Sequence, residues 1–234
     1  MGNTGYRVIK DFGRLDQSII DGYKYISTPV IGDVMGRMRV MNYAIKPVNI
    51  SGVHMAGRAL TVRTHPSDNL LVHKAMDLAQ PGDIIVVDAS GDTEHAIIGE
   101  IMSYYAKTKG VGGFVIDGAI RDRMQIAKLG LPVFAKGSTP RGPYKEGPGE
   151  INTVISCGNV PVSPGDVIIG DDDGVVVVPK GEAHVILEKA TELSEKEEEI
   201  LRAIGQGKWD RSWVDKILKE KGIEIEERNE KATI

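Results

Sequence analysis

The stretch that decides the fold is Gly112-Gly113-Phe114-Val115-Ile116-Asp117-Gly118-Ala119-Ile120-Arg121-Asp122. Residues Phe114 to Gly118 predict a short buried strand, and an arginine and an aspartate follow it side by side. Open α/β sheets bind ligands at the carboxyl ends of their strands. Arg121 offers a permanent cation for a carboxylate, and Asp122 offers an oxygen ligand for Mg²⁺. The pair therefore indicates one corner of a metal site for an anionic substrate. The alternative is a surface ion pair at a strand end.

Strands and helices alternate on both sides of this stretch. The turns Pro81-Gly82-Asp83 and Pro164-Gly165-Asp166 each lead into a buried apolar strand. Helical spacing of apolar residues predicts helices from Leu70 to Met76 and from Met124 to Leu129. We therefore expect an α/β fold.

A helix is predicted from about Glu94 to Lys107, with Gly99 inside it. A glycine in a helix interior costs about 1 kcal/mol relative to alanine, so it needs a packing or ligand reason. The alternative is a loop at Gly99 before a shorter helix that starts at Glu100. In that case the first N–H groups of the helix, from Glu100 to Met102, would point at an anion. A tight helix crossing at Gly99 remains equally open.

Composition limits the class of protein. Charged residues make up 26% and hydrophobic residues 41% of the chain, as in soluble globular proteins. A net charge of −4 and only 5% aromatic residues argue against a nucleic-acid partner. No apolar run approaches the ~20 residues of a membrane span. The first residues lack the pattern of a signal peptide, and Cys157 is the only cysteine, so a cytoplasmic location is expected.

Several familiar sites are not indicated by the sequence. The five histidines are scattered, without the spacing of a zinc site. Gly110, Gly112 and Gly113 follow a helix and precede a strand, which is the reverse of the dinucleotide fingerprint. The acidic run Asp171-Asp172-Asp173-Gly174 lacks the alternating spacing of a calcium loop, so it predicts a hairpin turn.

The last part of the chain is a charged helix from Gly181 to Gly205, followed by a short amphipathic helix. Both tryptophans of the chain, Trp209 and Trp213, lie at the start of that second helix. Aromatic side chains of this kind usually dock on another surface. We expect the surface to belong to a neighbouring subunit.

These residues resemble a known family. Gly99-Glu100, the glycines from Gly110 to Gly113 and the run Asp117-Gly118-Ala119-Ile120-Arg121-Asp122 are similar to the class II pyruvate aldolases that cleave 4-hydroxy-4-methyl-2-oxoglutarate. Those aldolases share a fold with the regulators of ribonuclease activity A. The resemblance extends from about residue 28 to about residue 205. It implies an α/β fold of the swivelling β/β/α type, here with a C-terminal helical extension.

The resemblance also implies functional residues. Asp122 would bind Mg²⁺ or Mn²⁺ directly, and Glu100 would hold the metal through water. The backbone N–H groups from Gly99 to Met102, including Glu100 and Ile101, would bind the pyruvyl carboxylate. Arg121 would bind the substrate and stabilise the enolate as the catalytic residue. A further water-mediated contact would come from a C-terminal glutamate of a neighbouring subunit; Glu199 is the first choice, with Glu195 and Glu197 left open.

The implied function is a metal-dependent lyase on small 2-oxo acids, with oxaloacetate decarboxylation as a side activity. It would assemble as a homotrimer or hexamer. The alternative is a non-enzymatic, protein-binding regulator like the ribonuclease regulators. Asp122 favours the lyase, because those regulators typically lack this aspartate. The expected divisions are a lead-in at 1–27, an aldolase-like core at 28–180 and a helical extension at 181–234.

Overall fold

The computed structural model describes residues 4–48, 51–223 and 225. They form two compact units, one up to Leu193 and one from Ser194 onward. The predicted boundaries after residues 27 and 180 stay a prediction. The strands are β1 (Tyr6–Val8), β2 (Lys46–Pro47), β3 (Met55–Thr64), β4 (Ile84–Asp88), β5 (Ala96–Ile98), β6 (Gly113–Ile120), β7 (Val133–Ser138), β8 (Gly149–Ile151), β9 (Ile155–Cys157), β10 (Val160–Val162), β11 (Val167–Asp171) and β12 (Gly174–Val178). The α-helices are α1 (Gln17–Gly22), α2 (Thr28–Val34), α3 (Leu70–Leu78), α4 (Glu100–Thr108), α5 (Arg123–Leu129), α6 (Ala183–Gly205) and α7 (Ser212–Glu220).

The larger unit is organised around a parallel sheet. Its central strands lie in the order β3-β4-β6-β7, and each pair of neighbours is parallel. Parallel neighbours need a crossover connection, and α3, α4 and α5 supply the three crossovers. The apolar run that predicted a strand at Phe114–Gly118 is the middle of β6, which is buried along its whole length. The predicted α/β class is confirmed.

The central strands are buried on both faces, which explains their continuous apolar sequences. In β4, Ile85 and Val87 pack in one cluster with residues of α3, α4 and α5. The alternate residues Ile84 and Val86 pack in another cluster with the β9–β10 hairpin. Successive side chains of a strand point to opposite faces, so one strand serves both layers. The result is a helix layer, a sheet and a second β layer, as the β/β/α prediction requires.

The strands β11 and β12 form an antiparallel hairpin, with Asp171 opposite Gly174. The hairpin turn predicted at the acidic run is therefore confirmed. β11 also pairs antiparallel with the first half of β3. A third apolar cluster covers the hairpin with residues of α1, α2 and the first turns of α6.

Each of the two Pro-Gly-Asp turns contains a buried aspartate whose carboxylate accepts at least one backbone N–H group. Asp83 accepts from the backbone N–H of Gln80 at 2.9 Å and binds both terminal nitrogens of Arg14, at 2.7 and 3.0 Å. Asp166 accepts from the backbone N–H groups of Ser163 and Lys180, at 2.8 and 3.0 Å. Both carboxylates stabilise turns far from the end of β6.

The smaller unit contains the rest of α6 and all of α7. Every residue of α7 is at least partly exposed, and Trp213 is 52% exposed. Glu199 lies on the exposed surface of α6. The expected docking of this region on a neighbouring subunit stays a prediction. Within the described ranges, no helix is long and apolar enough to cross a membrane.

Candidate active site

The segment before α4 corrects one prediction. The helix expected from about Glu94 is wrong in its first part, because Ala96–Ile98 form β5, which pairs parallel with the end of β6. All three residues are buried, so they occupy a sheet position and not one face of a helix. Gly99 then adopts an extended conformation and α4 begins at Glu100. The alternative of a shorter helix starting at Glu100 is confirmed.

The pairing of β5 with β6 brings two sequence-predicted positions together. The backbone N–H of Arg121 donates to the carbonyl oxygen of Ile98 at 2.9 Å. Gly99 follows Ile98, so the start of α4 lies beside the Arg121-Asp122 pair. Parallel strands place their carboxyl ends at one edge of the sheet, and this edge is where the pair lies.

Asp122 caps the neighbouring helix instead of its own. Its backbone is left-handed, with φ of 57°, and its side chain makes no capping bond to α5. Its Oδ2 atom accepts the backbone N–H of Glu100 at 3.0 Å and lies 3.6 Å from Nε of Arg121. No protein group among the described residues hydrogen-bonds to the second oxygen, Oδ1, and the side chain is 40% exposed. One carboxylate oxygen is therefore fixed and the other is open to a ligand.

Gly99 is required by close packing at this corner. A Cβ atom built on Gly99 would lie 2.6 Å from Oδ2 of Asp122 and 2.9 Å from Cγ of Arg121. Since its φ of −145° is open to any residue, the reason for glycine is space and not backbone freedom. The sequence predicts a packing or ligand reason for a glycine at position 99. The reason is packing, because the side chains of Arg121 and Asp122 lie too close for a Cβ atom.

A pocket of about 200 Å³, called here the Arg121 pocket, opens beside the arginine. Its walls come from the start of α3, the first turn of α4 and the loop after β7. They include Asn69, His73, Gly99, Ile101, Met102, Arg121, Pro143 and Lys145. Arg121 also lines a shallower depression with Asp122, Arg123 and Thr139. The arginine therefore borders both the open carboxylate and the pocket.

The charge of the Arg121 pocket is positive. Lys145 forms no hydrogen bond or ion pair with the described part of the chain. Burial lowers the pKa of His73, and the nearby Lys145 ammonium lowers it further. His73 is therefore neutral at neutral pH, and Arg121 and Lys145 remain as the two cations. Such a pocket suits an anion with negative charge at both ends.

Asn69 carries an unsatisfied acceptor in the same wall. It is only 2% exposed, and its Nδ2 atom donates to the carbonyl oxygen of Ile97 at 2.8 Å. Its Oδ1 atom is buried and has no hydrogen-bond partner within the described residues. A buried acceptor without a partner is costly, and a bound ligand with a hydroxyl group would satisfy it.

The donor set at the corner fits a divalent metal of the magnesium type. The described ranges hold no group of three or more His, Cys, Asp or Glu side chains placed for a metal. Mg²⁺, however, is commonly held by one or two carboxylates, with waters and substrate oxygens filling the other positions. Asp122 has an open oxygen, and Glu100 is an exposed carboxylate next to it on α4. These two residues would hold the metal.

Six sequence-predicted site residues lie together, namely Gly99, Glu100, Ile101, Met102, Arg121 and Asp122. The N–H of Glu100, predicted to bind substrate, donates to Asp122, so Ile101 and Met102 are left to serve a ligand. Glu199, with Glu195 and Glu197, belongs to the other unit, and its water-mediated contact stays a prediction. The sequence reasoning assigned no site role to Asn69, His73 or Lys145. The loop around Lys145 has no periodic pattern of apolar residues that could have indicated its role.

A second pocket, of about 210 Å³, is lined by Lys46, Arg123 and Lys136. Its lysines are already engaged. Lys136 lies 2.5 Å from Oδ1 of Asp117, and Lys46 donates to the carbonyl oxygen of Asp173 at 2.6 Å. The Arg121 pocket, with an unpaired lysine and an unpaired buried acceptor, is the better ligand site.

Comparison with known proteins places the chain in a family. The model of the RraA-like proteins, described as Aldolase/RraA, matches residues 19–177. The chain belongs to this family. The resemblance inferred from the Arg121-Asp122 stretch is therefore confirmed.

Proteins that are similar to this chain carry different names. A Halalkalibacterium halodurans protein named "Putative 4-hydroxy-4-methyl-2-oxoglutarate aldolase" is 44% identical over 79% of this chain and 88% of its own length. Streptomyces coelicolor RraAS2, described as an unusual member of the RNase ES inhibitor RraA protein family, matches with a TM-score of 0.74 and 28% identity, over 80% of this chain and 98% of its own. A Geobacillus kaustophilus structure, described as an S-adenosylmethionine:2-dimethylmenaquinone methyltransferase, matches with a TM-score of 0.62 and 31% identity, over 66% and 96%. The expected fold is confirmed by these structures.

Proposed function

We propose that the chain is a divalent-metal-dependent aldolase, a carbon–carbon lyase that cleaves 4-hydroxy-4-methyl-2-oxoglutarate-like 2-oxo acids to pyruvate. The observation that carries the proposal is the corner at the end of β6. There Asp122 keeps one carboxylate oxygen open while Arg121 lies beside it and borders an anion-suited pocket. The name of the 44% identical relative supports the same activity.

The reaction needs positive charge where an enolate forms. In a retro-aldol cleavage the C4 hydroxyl loses its proton, the C3–C4 bond breaks and C4 becomes a carbonyl carbon. The bonding electrons pass to the pyruvyl fragment as an enolate, which takes a proton at C3 to give pyruvate. Arg121 would bind the pyruvyl oxygens and stabilise the charge that develops on them. A fixed guanidinium does so without reorganising at the moment of reaction.

The metal would be Mg²⁺ or Mn²⁺, held directly by Asp122 and through water by Glu100. When bound, it would supply Lewis-acid polarisation of the substrate's keto group. The free N–H groups of Ile101 and Met102 at the start of α4 would orient the pyruvyl carboxylate. A glutamate on α6 of a neighbouring subunit, Glu199 as first choice, would complete the site in a homotrimer or hexamer.

The Arg121 pocket would take the other half of the substrate. Lys145 is an unpaired cation suited to the second carboxylate of a 2-oxo diacid. The buried Oδ1 of Asn69 is an acceptor suited to the C4 hydroxyl. The same enolate chemistry would release CO₂ from oxaloacetate, so oxaloacetate decarboxylation is a proposed side activity.

The test measures pyruvate release, which is detected through the oxidation of NADH by lactate dehydrogenase. Purified protein is incubated with 4-hydroxy-4-methyl-2-oxoglutarate or oxaloacetate, with Mg²⁺, with EDTA and with Mg²⁺ restored after EDTA. The proposal predicts turnover of both substrates that EDTA abolishes and Mg²⁺ restores. Turnover that persists in EDTA contradicts the metal requirement. Absence of turnover with either substrate contradicts the lyase.

The second candidate is a non-enzymatic regulator that binds another protein. The description of Streptomyces coelicolor RraAS2 as a member of an RNase ES inhibitor family favours it. An RNA-cleavage assay with purified RNase ES separates the two functions. Inhibition that survives Asp122→Asn, without pyruvate release from either substrate, would support the regulator.

A further inference from the structure

The wall of the Arg121 pocket opposite α4 is a loop of residues 139–148, called here the strap loop. Pro143 and Lys145 of this loop line the pocket. A Cβ atom built on Gly142 would lie 3.2 Å from Nη1 of Arg121, so the strap loop also passes close to the arginine. The position of this loop therefore sets the separation between the two cations, Arg121 and Lys145.

The first end of the strap loop is held by backbone hydrogen bonds to β5 and β6. The N–H of Thr139 donates to Ile120 at 2.9 Å, immediately before Arg121. The N–H of Ala96 donates to the carbonyl of Arg141, also at 2.9 Å. Glu94 adds exposed side-chain contacts at this end, with Oγ1 of Thr139 donating to its carbonyl oxygen and Arg141 contacting its carboxylate, both at 3.3 Å.

The second end is held in two ways. Tyr144, directly before Lys145, donates its backbone N–H to the carbonyl oxygen of Ser67 at 2.8 Å, and its carbonyl accepts from the N–H of Asn69 at 3.1 Å.

The residues directly after Lys145 are held by the buried carboxylate of Asp68, which is 2% exposed. Its Oδ2 atom accepts the backbone N–H groups of Glu146 and Gly147, at 2.6 and 3.0 Å. Its Oδ1 atom accepts the N–H of Leu70, the first residue of α3, at 2.9 Å. The carboxylate therefore joins the strap loop to α3, the start of which also lines the pocket.

An ionised carboxylate is specifically required for this arrangement. All three partners of Asp68 are N–H donors, and an ionised carboxylate is a pure acceptor. Bonds from neutral donors to an ionised acceptor are also the stronger kind. Asparagine has nearly the same shape, but one of the two carboxylate oxygens would become an NH₂ group. That donor would face the backbone N–H groups, which are donors as well. Asp68→Asn therefore loosens the strap loop directly after Lys145 while changing little volume.

We propose that Asp68 is a positioning residue for substrate selection. It holds Lys145 at a fixed distance from Arg121, and this distance selects 2-oxo acids with a second carboxylate over those with one. The expected effect on substrate selection during catalysis rests on the proposed function. The clamp and its effect on binding can be measured without turnover.

The first experiment measures binding of two stable probes, 2-oxoglutarate as a dianion and pyruvate as a monoanion, by calorimetry in the presence of Mg²⁺. The dissociation constant of 2-oxoglutarate is expected to rise at least about 10-fold in Asp68→Asn, and that of pyruvate less than about 3-fold. Lys145→Gln is expected to give the same selective loss. Combining the two substitutions is expected to add little, because both remove one interaction.

Asp166→Asn is the matched control, since Asp166 is another buried carboxylate that accepts only backbone N–H groups, far from the pocket. It is expected to lower stability without changing the preference for the dianion. A general loosening of the fold would instead weaken both probes in both variants, and that result overturns the proposal. Unchanged binding of 2-oxoglutarate in Asp68→Asn or in the surface variant Lys145→Gln overturns it as well.

Of two further readouts, the first does not depend on the lyase activity and the second does. Hydrogen exchange at the amides of Glu146 and Gly147 is expected to accelerate in Asp68→Asn, whether or not the protein is an aldolase. Unchanged exchange there would refute the clamp. With an active enzyme, Asp68→Asn is expected to raise KM for 4-hydroxy-4-methyl-2-oxoglutarate about 10-fold, with kcat within about 3-fold and little change in KM for 4-hydroxy-2-oxopentanoate. An equal loss of kcat with both substrates would contradict the assignment.

Discussion

Substituting Gly99 by alanine tests the packing of the active-site corner. The added Cβ would lie 2.6 Å from Oδ2 of Asp122, against about 3.4 Å for an ordinary contact, so the carboxylate must move by about 0.8 Å. Cγ and Nε of Arg121, at 2.9 and 3.0 Å, must move as well. The backbone at Gly99 is extended and accepts alanine without strain. The nearest contacts of the added methyl group are thus with the two residues proposed to do the chemistry.

The size of the effect follows from that displacement. A misplacement of about 1 Å in a catalytic group can cost about 100-fold in rate. We therefore expect Gly99→Ala to lower kcat/KM for pyruvate release by about 100-fold, which is about 2.7 kcal/mol of transition-state stabilisation. At a helix N-cap, alanine is less favourable than glycine by up to about 1 kcal/mol, so the melting temperature should fall by only a few degrees.

Gly137→Ala is the matched control for this experiment. It lies on the neighbouring strand β7, and its added Cβ would meet only Cγ2 of Thr93, at 3.9 Å. Its kcat/KM should stay within about 2-fold of the unmodified protein. If Gly99→Ala retained full activity while folded, or if both variants lost activity alike, the argument that Gly99 makes room for Arg121 and Asp122 would be refuted.

Three more predictions concern charge. Arg121→Lys should lower kcat at least about 100-fold because a planar fork is lost, while Arg123→Lys should change it little; steady-state pyruvate release measures both. Asp83→Asn should lower the free energy of unfolding in urea by about 3 kcal/mol, because Arg14 loses a buried partner, and an unchanged midpoint would contradict this. The lowered pKa of His73 means that the unfolded chain binds protons more readily near pH 6.5. Stability should therefore fall on acidification through pH 6.5, and less so in His73→Gln; equal pH profiles would refute it.

The sequence predicts the central part of the fold well because burial on both faces leaves an unmistakable record. β4 is an apolar run that ends at Asp88, and β6 is buried throughout and ends at Ile120, directly before Arg121 on the functional edge. The apolar run of β6 is therefore enough by itself to place the Arg121-Asp122 pair at a strand end. β5 was missed because Ala96–Ile98 is short and precedes a helix with similar apolar spacing, so periodicity cannot separate the two.

The pocket residues were harder to predict because they meet only through long-range contacts. Lys145 lies in a loop rich in glycine and proline, where no period marks a direction. Asp68 looks like an ordinary turn residue, yet its carboxylate reaches the strap loop 78 residues away in sequence. Asp122 was predicted as a ligand, but its left-handed backbone and its bond to Glu100 depend on the pairing of β5 with β6.

The most direct test of the central proposal is pyruvate release from 4-hydroxy-4-methyl-2-oxoglutarate by Asp122→Asn at saturating Mg²⁺. Asparagine keeps the side-chain shape but removes the charge that would hold the metal. We predict a loss of at least about 100-fold relative to an unmodified enzyme that EDTA inhibits, with an unchanged circular dichroism spectrum. Activity within a few-fold of the unmodified protein would contradict the assignment of Asp122 as the metal ligand, and with it the proposed mechanism.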